Sequence, residues 1–188
     1  IKIGCVDVGG GTTDVMVTSF YKGEDVTLAP VQEFREGFRT AGDDILKAII
    51  EKIILPSILR TSDPSVKQAM SAQLQALFGD NNPNLTASDR QTKRQFGLRV
   101  LAPLARKILV ETSSGTNDLT VSVSQIYSGQ DDIPTNLSDY IDAPMANLTG
   151  GEWSFKNHEI DVQYQIIREI FSDLFDDSFS DISEIMRK

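Results

Sequence analysis

Three consecutive glycines stand between two apolar, β-branched runs, with an aspartate on either side: Asp7-Val8-Gly9-Gly10-Gly11-Thr12-Thr13-Asp14. Three residues without a Cβ weaken any helix or strand, so the chain turns here. Residues 1–8 carry Ile1, Ile3, Val6 and Val8 and read as a buried strand. Residues 13–20 read as a second strand, with Val15 and Val17 on one face. Lys22-Gly23-Glu24-Asp25 has turn chemistry, and residues 26–34 read as a third strand, at a sheet edge because of Pro30. The opening is therefore a hairpin or meander built around a glycine turn.

That turn offers chemistry as well as geometry. Glycines let the backbone approach a ligand closely and adopt positive φ. Successive N–H groups in such a turn form a concave nest for phosphate oxygens. Gly9, Gly10 and Gly11 supply the backbone, and Thr12 and Thr13 add hydroxyl donors. Asp7 and Asp14 flank the nest, which makes sense if Mg²⁺ sits between them, held through water. A plain glycine turn with surface aspartates is the competing explanation, and the complete octet between two strands argues against it. The Gly-Lys-Ser/Thr of a Walker loop is missing. A strand, not a helix, follows the glycines, unlike a dinucleotide fingerprint.

Helical spacing dominates afterwards. Asp43 and Asp44 suit the positive end of a helix that carries Ile45, Ile49 and Ile53, ended or kinked by Pro56. Asp63 and Pro64 start another, running to residue 78. Thr86 or Ser88 caps a third through residue 111, with a kink expected at Pro103. Residues 119–127 alternate as a strand, 129–151 read as a long polar loop, and 152–160 as a returning strand. Asp161 is the expected cap of a closing helix, 161–187. The domain reading is thus 1–41 for the opening strands, with the phosphate loop at 7–14, and 42–188 for a helical and hairpin subdomain.

Composition narrows the function. Hydrophobic residues make up 40%, enough for a core in a mixed α/β fold. The net charge of −9 argues against a nucleic-acid partner, which needs a basic footprint. Asp173, Asp176, Asp177, Asp181 and Glu184 read as a solvated helix face. One cysteine and one histidine exclude the common zinc patterns, and Cys5 reads as a small core residue. No apolar stretch is long enough for a membrane span. The chain opens at Ile1 as a strand already under way, without a charged leader, which reads as a segment of a longer, intracellular protein. His158 reads as a surface or local hydrogen-bonding residue, Ser113 and Ser114 as turn residues, and Trp153 and Phe155 as packing.

The octet resembles the second phosphate loop of the actin-like ATPase superfamily, which includes actin, heat-shock chaperones, sugar kinases and bacterial cytoskeletal proteins. The resemblance implies an actin-like, ribonuclease H-like lobe with its small α+β subdomain. It implies ATP and Mg²⁺ as ligands, with Asp7 and Asp14 on the metal's waters. Gly10 and Gly11 would donate to phosphate, with Thr12 beside the γ-phosphate. Ala41-Gly42-Asp43-Asp44 looks like the chaperones' Gly-Gly-Glu-Asp, which places Gly42 and Asp43 near the nucleotide. Residues 98–110 look like the chaperone helix whose basic pair embraces adenosine, with Arg106 and Lys107 at those positions. Pro103 stands where the chaperones have a ribose-binding Glu, and Val110 where they have a Ser. Phe34-Arg35-Glu36-Gly37-Phe38-Arg39-Thr40-Ala41-Gly42-Asp43-Asp44-Ile45, with Ile53-Ile54-Leu55-Pro56 after it, also looks like the bacterial SrfB-type virulence factor family.

On this resemblance the chain supplies one half of a nucleotide clamp in a bacterial, cytoplasmic protein with protein partners. No catalytic residue is assigned within it. The first phosphate loop, the acid that positions the attacking water and the closing adenosine motif are not recognisable here, so hydrolysis by this segment alone is expected to be negligible. Two alternatives stand beside this reading: a non-catalytic interaction module with a degenerate nucleotide site, and a sugar kinase or polyphosphatase of the same superfamily.

Overall fold

The computed structural model describes residues 1–22, 28–79, 82, 85–115, 117–129 and 132–187, with side chains described to residue 176. It is a mixed α/β fold that divides into two compact units, residues 1–45 with 168–188, and residues 46–167. The division passes through two helices, so it differs from a boundary at residue 41.

In the first unit, β1 (Lys2–Val8), β2 (Thr13–Lys22) and β3 (Leu28–Phe38) form an antiparallel sheet in that order. The glycine turn joins β1 to β2, as its sequence requires. Along β2, Thr13, Val15 and Val17 are buried while Asp14 and Met16 are exposed, the period-two pattern of a half-covered strand. A bulge between Val17 and Thr18 breaks the alternation. β3 runs on to Phe38, beyond the expected end at 34, and Pro30 is tolerated because β3 is an edge. β1 is also an edge, exposed along its whole length. Cys5 is therefore exposed rather than a core residue: the apolar run identifies the strand but not what covers it. The turn read at 22–25 and the start of the third strand at 26–27 lie outside the described residues, Lys22 excepted.

The second unit is built mainly from helices. α1 (Gly42–Ile49) passes through a π-helical turn, Ile50–Ile54, into α2 (Leu55–Ile58). Pro56 lies just after that wide turn. A proline has no N–H to give to the preceding turn, and a shift to i→i+5 bonding accommodates it without ending the helix. The same device recurs where α4 (Ala87–Phe96) passes through Gly97–Leu101 into α5 (Ala102–Ser113), with Pro103 at the junction. α3 (Pro64–Phe78) starts as expected, with the Asp63 carboxylate accepting the Ser65 and Val66 amides. Thr86 and Asp89 form a reciprocal capping box on α4.

Four expectations about the later segments are corrected. The strand read at 119–127 stops at Ser122: β4 (Leu119–Ser122) gives way to α6 (Val123–Ile126), whose single turn closes with the Tyr127 amide on Val123 O. The long loop at 129–151 contains α7 (Thr135–Thr149), whose buried Leu137, Ile141 and Met145 recur every fourth residue. Pro144 and the many polar residues between them hid that stripe. The returning strand is β5 (Glu159–Val162), preceded by a 3₁₀ turn over Phe155–Asn157. Asp161 lies in β5, where it pairs with Arg60 at 2.8 Å, so it does not cap α8 (Tyr164–Arg187). The Tyr164 amide is given instead to Asp118.

The core of the second unit centres on Phe96, whose ring lies 5.5 Å from Phe78 and 5.7 Å from Phe155. Asp173 and Asp176 on α8 are exposed, and the side chains of Asp177, Asp181 and Glu184 lie outside the described residues. Among the described residues no helix is long and apolar enough to cross a membrane.

Candidate functional site

The Gly9 N–H donates to Thr12 O at 2.8 Å, which leaves Gly10 and Gly11 as a two-residue tip. None of the three glycines uses positive φ; among the described residues Gly129 and Gly150 do. The expected reason for glycine is thus corrected. What the turn needs is the missing Cβ, since one added at Gly9 would stand 3.1 Å from Thr12 O. The amides of Gly10 and Gly11 are not given to any backbone acceptor among the described residues.

The turn is held from behind by the start of α1. The Gly42 N–H donates to Gly9 O and the Asp43 N–H to Gly10 O, both at 2.9 Å. Asp44 accepts the Ala41 N–H at 2.9 Å and so fixes the helix start. A Cβ at Gly42 would stand 3.1 Å from Gly9 O, so only glycine permits this approach without a shift. The structure thereby brings Gly42 and Asp43 to the loop, with the Asp43 carboxylate 3.7 Å from where a Gly10 Cβ would be. Their amides, however, serve the loop's carbonyls.

Thr12 and Thr13 part company. Thr12 is exposed at the tip. Thr13 is 3% exposed, and its hydroxyl donates to Thr40 O at 2.7 Å. That hydroxyl clasps the 40–43 segment rather than facing solvent.

Asp7 and Asp14 are directly opposed in the β1–β2 register and both are exposed. Directly opposed like charges repel, and a cation between them would relieve this. Two exposed carboxylates are oxygen donors of the type Mg²⁺ accepts, an ion that keeps several waters when it takes only one or two carboxylates. Among the described residues no three acidic, histidine or cysteine groups converge as an all-protein cage.

The family model described as Virulence factor SrfB matches residues 1–188. The chain belongs to the SrfB family. No curated protein and no solved structure matches it.

In this SrfB chain Arg106 and Lys107 lie on α5, within residues 46–167, and both are exposed. Lys107 pairs with Glu111 at 3.0 Å, an ordinary i,i+4 contact. Val110 is 59% exposed on the same helix. His158 has its Nδ1 3.1 Å from Ser154 O and its ring 4.8 Å from Trp153. Burial holds its pKa below the ordinary histidine value. Asp142 accepts the Phe155 amide at 2.9 Å, and burial raises its pKa. These two groups fasten the 154–158 turn of the SrfB fold.

Two residues beside the loop, Gly37 and Thr40, were assigned no site role from the sequence. Gly37 faces Asp14 across β2 and β3, and a Cβ there would stand 3.2 Å from Asp14 Oδ1. Thr40 supplies the carbonyl that Thr13 grips. Gly37 and Gly42 bracket Thr40, and that paired-glycine spacing is the one signal that could have drawn attention to the segment.

Proposed function

We propose that turn 9–12 of this SrfB chain binds the β- and γ-phosphates of Mg-ATP, in the manner the octet's resemblance to actin-like ATPases implies. The observation that carries this reading is the exposed tip itself. Two uncommitted glycine amides stand beside a directly opposed pair of exposed carboxylates. Amides favour phosphate oxygens, and the carboxylates favour the cation that accompanies them. In this reading the Gly10 and Gly11 amides and Thr12 contact phosphate, Gly9 closes the turn, Asp7 and Asp14 hold the magnesium waters, and Gly42 and Thr13 support the loop. Magnesium, when bound, neutralises phosphate charge.

Calorimetry with Mg-ATP tests this. Wild-type chain is expected to bind, and Asp7→Ala and Gly10→Val to remove most of the affinity. Unchanged binding in both variants rejects the assignment.

A second reading is an interaction module in which the segment around α5, within residues 46–167, meets a protein partner. Leu98 and Val110 favour it, being 62% and 59% exposed on the segment around α5. A melting temperature that ignores Mg-ATP at millimolar concentration would favour this module over the nucleotide site.

A further inference from the structure

The orientation of the tip amides follows from what holds the carbonyls. A trans peptide is planar, so its N–H points opposite to its C=O. The chain has no cis peptide among the described residues. Gly9 O is fixed toward the Gly42 amide and Gly10 O toward the Asp43 amide. The Gly10 and Gly11 N–H groups, at the opposite edges of those two peptide units, therefore point away from the start of α1. Both are turned the same way, as an anion would require.

We infer that segment 40–43 is the positioning element of this loop, and that Thr13 and Gly42 are its positioning residues. The inference rests on the phosphate-binding reading above. Thr13 contributes through its hydroxyl bond to Thr40 O, which ties the start of β2 to the segment whose next residues grip the loop. Gly42 contributes by letting its backbone reach Gly9 O. Neither side chain needs to touch the ligand. The turn's own bond, Gly9 N–H to Thr12 O, closes the loop, and the direction of the tip amides is set by what the Gly9 and Gly10 carbonyls meet. The loop is aimed from outside itself.

The test uses the full chain, with magnesium tripolyphosphate as the probe and amide hydrogen exchange as an independent readout. In wild type the Gly42 and Asp43 amides are protected and those of Gly10 and Gly11 exchange fast. Thr13→Val is expected to lose that protection and to bind the probe about tenfold more weakly. Thr13→Ser, which keeps the hydroxyl, should restore both within about threefold. Gly42→Ala provides the same test should Thr13→Val fail to fold. If wild type binds and a variant loses protection yet keeps its affinity, the positioning role is overturned and the phosphate site stands. If wild type has protected amides and binds no tripolyphosphate, the phosphate site fails and the positioning role with it.

Discussion

Phe155 is 1% exposed, and its ring meets Phe96 on one hand and stacks with His158 on the other. Phe155→Ala would leave a cavity at this point, and a loss of about 3–5 kcal/mol in urea unfolding is expected. His158 gives the fold a pH dependence. Its folded-state pKa lies below the ordinary 6.5, so the unfolded chain takes the proton first. Stability from this residue is present above that ordinary value and is lost as pH falls toward the folded one. Asp142 works in the opposite direction: its raised pKa favours the fold as pH falls through the carboxylate range. Melting at about pH 7.5 and about pH 5.5 should show a drop that His158→Asn reduces. Of the two roles expected for His158, surface residue or local hydrogen-bonding residue, the second is seen, with Nδ1 against Ser154 O. The burial of its ring depends on Trp153 and Phe155 folding back over it, which no single residue type announces.

At the scale of elements, caps were legible and chain reversals less so. Asp63-Pro64 and the Thr86–Asp89 box act within four residues, so local sequence decides them. Thr86→Ala should cost about 1 kcal/mol, read as a shift in urea midpoint without a change in slope. Pro56 and Pro103 announced irregular helices, and both helices pass the proline after a π-helical turn rather than ending. The alternation through residues 119–127 promised one long strand. It fails after Ser122 because β5, its only ladder partner among the described residues, pairs just four residues, Glu159–Val162. A strand lasts as long as its partner does, and partner length is a tertiary property. α7 shows the converse, since its apolar stripe of three residues is convincing only once the core they enter is known.

For the whole molecule, residues 46–167 form one compact unit that contains the ring cluster around Phe96 and the β4–β5 pair. This segment expressed alone is expected to keep helical circular dichroism and to melt cooperatively; a non-cooperative melt would show that its core is incomplete. The intact chain is expected to bind Mg-ATP with negligible turnover, and ATP hydrolysis abolished by Asp7→Ala would overturn that expectation. By itself the sequence determined where the chain turns after β1, where α1, α3 and α4 begin, and that the octet sets three glycines between two carboxylates, because glycine, proline and capping side chains act over a few residues. Only the tertiary structure decided that Thr13 faces inward, that Gly42 and Asp43 give their amides to the loop, and that the glycines do so without positive φ. Those outcomes depend on a helix start some thirty residues downstream reaching the turn, and hydrogen bonds between distant segments leave no period or spacing in the sequence that makes them.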